Sequence, residues 1–272
     1  CETQYVKHYL IIIMSTNSLH DIMQSVYKPF HSTETALLRV KNDILQAMDK
    51  QCGVYLALID LSAAFDTVDH EILLSFLKDH IGMHGAVWNW FKSYLTGRTQ
   101  QVSIDGVLSG LAELMYGVPQ GSVLGPIKYC IYTLPIGAII RAHGLDYTIY
   151  ADDTQAYLTF TKDSLDQSLE KLNACLSDIR TWMLKNKLKI NDEKTEFLVL
   201  TSPRMSEKFD RNQKLTVGDN IIAKSNEARN LGVIFDNNMS MEKHITSVCK
   251  SANFHLRNIG AIRKTLTESS AA

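Results

Sequence analysis

The sequence lacks the features that mark membrane-spanning, secreted and disulfide-stabilised proteins. No apolar run approaches the ~20 residues that a helix needs to cross a bilayer, so we expect no membrane span. The chain begins with Cys1 and shows no succession of basic region, apolar region and cleavage site, so we expect no secretory signal. The cysteines are scattered without a C-x-x-C pair, which argues against a zinc site or a disulfide framework within the chain: Cys1, Cys52, Cys130, Cys175 and Cys249. Together these absences predict an intracellular, reducing environment and no disulfide-linked partner.

An excess of positive charge is also missing. The chain has 28 Lys and Arg against 29 Asp and Glu, so any attraction to phosphate groups must arise from local patches. Residues 180–214 hold nine basic and five acidic side chains, and residues 243–264 hold five basic and no acidic ones. Such patches are more often solvated helix faces than binding surfaces. The chain has 272 residues, which is long enough for a large domain with a smaller one appended. Its composition, 45% hydrophobic and 21% charged residues, is that of a folded protein.

Three aspartates stand at positions where they can meet. Asp152 and Asp153 lie between two β-prone runs, which predicts a hairpin with adjacent carboxylates at its tip. Asp60 ends the apolar run GVYLALID at residues 53–60, which is typical of a strand buried on both faces. If the two strands lie side by side, the carboxylates form a cluster without His or Cys, which favours Mg²⁺. The alternative for Asp152 and Asp153 is ordinary turn chemistry, since Asp tolerates tight turns.

The spacing of apolar residues and the positions of Gly, Pro and helix-capping residues predict an α+β fold in which helices pack on one face of an antiparallel sheet. Ser32 is a candidate N-cap for the first predicted helix, and Leu and Ile at alternating intervals of four and three predict the clearest helix at 164–188. The loop GVPQGSVLGP at 117–126 opens another helix near Pro126. Further helices are predicted at 33–50, 70–80, 86–95 and 241–264, and strands at 53–61, 146–150, 154–160, 196–201, 215–217, 220–222 and 231–235. Residues 101–114 are predicted to form a hairpin and residues 204–214 a polar connection.

Six segments in order resemble the reverse transcriptase of non-LTR, LINE-type retrotransposons. They are HSTETALL at 31–38, ALIDLSAAFDTVDH at 57–70, GVPQGSVLGP at 117–126, YADD at 150–153, NDEKTEF at 191–197 and LGVIFD at 231–236. The resemblance implies an RNA-directed DNA polymerase with a polymerase palm at residues 53–240. It also implies a remnant of the fingers at residues 1–52 and the start of a thumb at residues 241–272.

The resemblance assigns the metal chemistry to four residues. Asp60 and Asp152 would bridge two Mg²⁺ ions, for which Mn²⁺ is a possible substitute, while Asp153 assists and the Leu61 carbonyl supplies a further oxygen. Lys194 corresponds to a lysine that protonates the departing pyrophosphate; its alternative is a plain surface lysine. Asp66 and Asp69, beyond the strand end, are expected to cap the following helix rather than to bind metal.

The resemblance also places contacts with the substrate and the primer. The Phe65 ring would pack under the incoming sugar, where a 2′-hydroxyl would collide with it, although a core role for this ring is the alternative. Gln120 and Gly121 would contact the nascent base pair and the template. A further segment would form the primer-grip turn, namely Leu231, Gly232 and Val233.

The implied partners are an RNA template, a DNA primer and deoxynucleoside triphosphates, in the nucleus and cytoplasm. The two basic patches then become candidate template or primer contacts. The sequence departs from the family pattern at Ile127-Lys128, where a charge stands near a helix start that normally packs. A second hypothesis therefore stays open: a truncated, catalytically inactive retrotransposon relic or a non-catalytic nucleic-acid-binding module.

Overall fold

A computed structural model describes residues 21–26, 28–61, 66–117, 124–209, 213–218 and 220–263. The helices are α1 Thr33–Asp49, α2 His70–Asp79, α3 Gly85–Leu95, α4 Gly125–Tyr132, α5 Leu134–Ala142, α6 Leu165–Lys185, α7 Ser206–Phe209 and α8 Glu242–Ile262. The strands are β1 Gly53–Ile59, β2 Thr99–Gln100, β3 Ser103–Ile104, β4 Val107–Leu108, β5 Ala112–Glu113, β6 Asp146–Tyr150, β7 Asp153–Phe160, β8 Glu196–Leu200, β9 Lys214–Val217, β10 Asn220–Ser225, β11 Glu227–Asn230 and β12 Val233–Asp236. No helix of the described residues is long and apolar enough to cross a membrane.

The main sheet has six strands in the order β6, β7, β1, β8, β10, β9. All neighbours are antiparallel except β8 and β10, which run parallel. The predicted pairing of the two acid-bearing strands is confirmed, because β1 lies directly beside β7 with Gly53 opposite Phe160 and Ile59 opposite Thr154. Every residue of β1 is buried, as its continuous apolar run predicts for a central strand.

Most helices pack on one face of this sheet. Tyr55, Ala57 and Ile59 of β1 point into a large apolar core that includes residues of α2, α3, α4, α5 and α6. Helix α6 contributes its predicted stripe, in which Leu172, Leu176 and Ile179 are completely buried. The α+β palm architecture expected from the sequence is confirmed.

A smaller apolar layer covers the opposite face. Val54, Leu56 and Leu58 alternate with the residues of the first face and meet helix α1 and the hairpin of β11 and β12. Helix α1 begins as predicted, because Ser32 and Thr35 form a reciprocal capping box. The helices are therefore not confined to one face.

Two local predictions differ from the structure. Residues 204–214 contain the short helix α7, because Phe209 is an apolar anchor that is 2% exposed and joins the main core. The predicted strand at 231–235 is shortened at its start, because Leu231 and Gly232 have positive φ angles of 44° and 90° and form a turn before β12.

Candidate active site

The register of β1 against β7 brings Asp60 and Asp153 across from each other. Ile59 pairs with Thr154, Asp60 follows Ile59, and Asp153 precedes Thr154. Both carboxylates line one pocket, together with Leu58, Gln155, Lys194 and Leu231 among others. The convergence predicted from the buried strand and the hairpin is therefore present for these two residues.

Asp152 lies in the tight turn that joins β6 to β7. Tyr150 pairs with Asp153, so Ala151 and Asp152 form a two-residue loop, and Ala151 has a φ of 58°. The Gln24 side chain holds this loop from outside: its Nε2 donates to the Ala151 carbonyl at 3.4 Å, and its Oε1 accepts from the Ala151 N–H at 3.2 Å. Residues beside Gln24 extend the sheet edge, since Ser25 N–H donates to the Ile149 carbonyl at 2.8 Å.

The three aspartates are close enough to influence one another electrostatically. The pKa of Asp153 is raised to about 6, mainly by partial burial and in addition by the charges of Asp152 and Asp60. The three aspartates also affect the hydroxyl of Tyr129 on α4. Its pKa is raised well above the ordinary range, mainly by burial and in addition by the negative charges of Asp152, Asp153 and Asp60. Within the described part of the chain, no Lys, Arg or His forms an ion pair with any of the three.

The carboxylate oxygens of the three aspartates are suitable ligands for a hard cation, but the described side chains do not surround a metal position. Among the described residues, no group of three or more His, Cys, Asp or Glu side chains is arranged to hold a metal ion. Like charges repel, and this repulsion opposes closer approach of bare carboxylates. Oxygen-only donors nevertheless match the preference of Mg²⁺.

A turn next to Asp60 positions Lys194 at the pocket. The Asn191 N–H donates to the Asp60 carbonyl at 2.9 Å, and Leu61 forms an isolated antiparallel bridge with Ile190. The Asn191 carbonyl then accepts the N–H groups of Lys194 at 3.2 Å and Thr195 at 2.9 Å. Lys194 therefore lines the pocket at the end where β1 stops.

The predicted primer-grip residues form a tight turn at the same pocket. Asn230 pairs with Val233, which closes a two-residue loop of Leu231 and Gly232. Leu231 lines the pocket with Asp60 and Asp153. The turn is seated on the sheet because Ala228 and Phe235, which pair within the hairpin, are both buried in the smaller apolar layer.

The segment after Asp60 is joined to the start of the 117–126 loop. Asp69 caps α2 by accepting the N–H groups of Glu71 at 2.9 Å and Ile72 at 3.0 Å, so its predicted capping role is confirmed. Asp66 is not the cap of this helix.

Two hydrogen bonds join this segment to the start of the 117–126 loop. Gly117 N–H donates to the Val68 carbonyl at 2.8 Å, and a ring nitrogen of His70 lies 2.7 Å from the Gly117 carbonyl oxygen. The other predicted substrate contacts, Phe65, Gln120 and Gly121, lie outside the described residues.

Several polar residues of the pocket are not indicated by the sequence motifs. Gln155 and Asn230 are buried and hydrogen-bonded to each other, and Glu196 and Arg229 also line the pocket. Burial raises the pKa of Glu196, while a hydrogen bond from the Arg229 backbone lowers it. A signal for the first two is available: Gln155 interrupts an apolar strand, and Asn230 immediately precedes the LGV segment.

Comparison with known proteins identifies similar sequences along most of the chain. Residues 8–235 match the family described as reverse transcriptase (RNA-dependent DNA polymerase). The chain is 29% identical over 223 residues to the RNA-directed DNA polymerase from mobile element jockey of Drosophila funebris, covering 80% of this chain and 23% of that protein. It is 27% identical over 248 residues to the probable RNA-directed DNA polymerase from transposon BS of Drosophila melanogaster, covering 86% and 27%. The chain thus spans about a quarter of the length of these relatives.

Solved structures support the fold independently. An apo telomerase from Candida tropicalis, truncated from its C-terminal domain, superposes with a TM-score of 0.56 at 17% sequence identity. The match covers 86% of this chain and 45% of the telomerase chain. At this identity the likeness concerns the fold alone, which is a palm-type polymerase fold.

Proposed function

Because this chain belongs to the reverse transcriptase (RNA-dependent DNA polymerase) family, we propose that it extends a DNA primer on an RNA template with deoxynucleoside triphosphates. Its relatives are RNA-directed DNA polymerases of Drosophila non-LTR retrotransposons. The observation that carries the proposal is the alignment of Asp60 with Asp153 across β1 and β7, with Asp152 in the adjoining turn. Among the described residues these carboxylates have no basic ion-pair partner, so their negative charge is available to hold the cations that nucleotidyl transfer requires.

Asp60 and Asp152 would hold two Mg²⁺ ions, or Mn²⁺ in their place, with Asp153 and the Leu61 carbonyl as further oxygen donors. Bound ions of this kind lower the pKa of the attacking hydroxyl and neutralise charge on the departing pyrophosphate. The raised pKa of Asp153 supports this assignment, because a cation would favour the charged form of the carboxylate that burial disfavours.

The protein side chains around the carboxylates have separate roles in this proposal. Lys194 lines the same pocket as Asp60 and would deliver a proton to the pyrophosphate. The turn of Leu231, Gly232 and Val233 would support the primer end. Phe65 would exclude a ribose 2′-hydroxyl by collision, and Gln120 and Gly121 would contact the nascent base pair, as the family resemblance implies.

We further propose that residues 53–240 act as the palm, with fingers elements at 1–52 and thumb elements at 241–272. Helix α8 suits a thumb role because none of its residues is buried against the palm. The Lys and Arg side chains of the stretches 180–214 and 243–264 would contact the template or the primer through phosphate groups.

Primer extension separates this function from that of an inactive relic or a non-catalytic nucleic-acid-binding module. The wild-type chain should add deoxynucleotides to a DNA primer on an RNA template, and excess chelator should stop the reaction. Asp60→Asn should abolish addition, whereas Asp163→Asn, an exposed aspartate in the loop after β7, should behave as wild type. Binding of the primer–template without extension at any Mg²⁺ concentration would favour the relic or the binding module.

A further inference from the structure

A buried pair of side-chain amides joins the strand that carries Asp153 to the hairpin that carries the primer-grip turn. The Asn230 Nδ2 donates to the Gln155 Oε1 at 2.8 Å. The two residues are 4% and 1% exposed, so water does not compete for this bond. They are separated by 75 residues in the sequence, so the bond is a tertiary constraint rather than local turn chemistry.

Each amide is adjacent to a residue of the proposed reaction. Gln155 follows Asp153 by two residues on β7, so both side chains belong to the same face of the strand. Asn230 ends β11 and directly precedes Leu231 and Gly232. Gln155 and Asn230 line the pocket that Asp60 and Asp153 also line. A change in this bond therefore shifts the turn relative to the carboxylates.

Stability alone gives no reason for polar groups at these two positions. Tyr157, on the same face of β7 as Gln155, belongs to the smaller apolar layer, and Ala228 and Phe235 of that layer already seat the hairpin. The Gln155 Nε2 is buried and has no hydrogen-bond partner among the described residues. An apolar pair of similar size would avoid that unsatisfied group, and such replacements are often neutral or stabilising. What an apolar pair does not provide is a directional bond of fixed length.

We propose that Gln155 and Asn230 are positioning residues that fix the Leu231–Gly232 turn relative to the strand of Asp153. The inference rests on the proposed function, because the turn matters for catalysis only if it supports a primer end at the carboxylates. Small errors in the position of reacting groups are costly: a misplacement of about 1 Å can lower a rate by about a hundredfold. The bond therefore acts on the rate of nucleotide addition more than on folding.

Single-nucleotide addition tests the catalytic part of the proposal. Gln155→Leu and Asn230→Leu should each lower kcat at least about tenfold, with the KM for the deoxynucleoside triphosphate changed less than about twofold. The double leucine variant should melt no lower than either single variant and still be slow. The swapped pair, Gln155→Asn with Asn230→Gln, keeps the total length of the two amides and should recover much of the rate.

Gln213→Leu is the matched control. The Gln213 Nε2 donates to the Tyr55 hydroxyl at 3.0 Å, and Gln213 is buried but belongs to neither the pocket nor the turn. This variant should lose stability to a similar degree and keep its kcat. If the pocket variants lose no more rate than this control at equal stability, the positioning role is wrong.

Hydrogen–deuterium exchange tests the constraint without relying on activity. The single pocket variants should raise amide exchange in residues 227–236 more than Gln213→Leu does, while helix α6 keeps its protection. A wild-type chain that extends no primer would count against the proposed function, and the exchange result would still decide the constraint. Unchanged exchange in 227–236 would overturn it.

Discussion

Lys128 is the buried charge whose removal should stabilise the protein. Its side chain is completely buried in α4, and its Nζ has no hydrogen-bond partner among the described residues. The ammonium lies 4.3 Å from the centroid of the Tyr94 ring, which compensates only part of the cost of burial. The pKa of Lys128 is lowered to about 8, mainly by burial and in addition by the charge of the nearby Arg98.

The expected gain follows from this pKa. A fall from 10.5 to about 8 corresponds to about 3 kcal/mol of preference for the uncharged form. Lys128→Met keeps the length of the side chain and removes the charge, but it also loses an interaction with Tyr94 of about 0.5–2 kcal/mol. At pH 7 the free energy of unfolding should therefore rise by about 1–3 kcal/mol.

The pH dependence identifies the cause. Between the folded pKa of about 8 and the unfolded value of 10.5, the unfolded wild type binds one more proton at Lys128 than the folded one. Wild-type stability therefore gains a rising contribution in this window, and the variant lacks it. From pH 8 to pH 9 the advantage of the variant should shrink by somewhat less than the limiting value of about 1.4 kcal/mol per unit.

Urea unfolding of both proteins at pH 7, 8 and 9 measures this difference, and comparison of the two cancels titrations that they share. Lys162→Met is the control, because Lys162 is exposed, and it should change stability by about 0.5 kcal/mol or less at every pH. Destabilisation by Lys128→Met, or a stability difference independent of pH, would refute the reasoning.

Three further predictions follow from the same structure and sequence. Asp69→Ala removes the cap of α2 and should cost about 1 kcal/mol in urea unfolding without altering the Mg²⁺ requirement; a changed requirement would make Asp69 a metal ligand. Phe65→Val should raise the kcat/KM for ribonucleotides relative to deoxynucleotides. An unchanged ratio would mean that Phe65 has only a packing role. Binding of the isolated chain to a primer–template should be weak and fall steeply with salt, resting on residues 180–214 and 243–264. Fluorescence anisotropy that shows tight, salt-insensitive binding would contradict this expectation.

The parts of the fold that the sequence predicts well are those with strong local signals. The continuous apolar run of β1 identifies a central strand, and the leucine spacing of α6 identifies a helix covering the sheet. Asp60 is recognisable because a carboxylate at the end of a buried strand is costly without a partner, whereas Asp152 and Asp153 are recognisable as adjacent carboxylates at the tip of a predicted hairpin.

The parts that the sequence does not predict depend on tertiary contacts. The bond of Gln155 to Asn230 joins residues far apart in the chain, and each alone is an ordinary polar residue. Lys128 was noticed only as an odd charge near a helix start, because its burial depends on how α3 brings Tyr94 against α4. Phe209 likewise becomes a core residue only after the chain folds back over β7, where its ring meets Phe160 edge-on. Such placements follow from packing and not from local periodicity.

The central claim is that Asp60, Asp152 and Asp153 hold divalent ions for nucleotidyl transfer. Its most direct test is the rate of single-nucleotide addition as a function of Mg²⁺ concentration in the wild type and in Asp152→Asn. We expect the wild-type rate to depend on Mg²⁺ and to vanish in excess chelator, and the folded variant to be inactive at every Mg²⁺ concentration because one bridging charge is lost. Wild-type activity that persists in chelator, or a variant that keeps more than about a tenth of the rate, equivalent to a barrier change below about 1.4 kcal/mol, would contradict the claim.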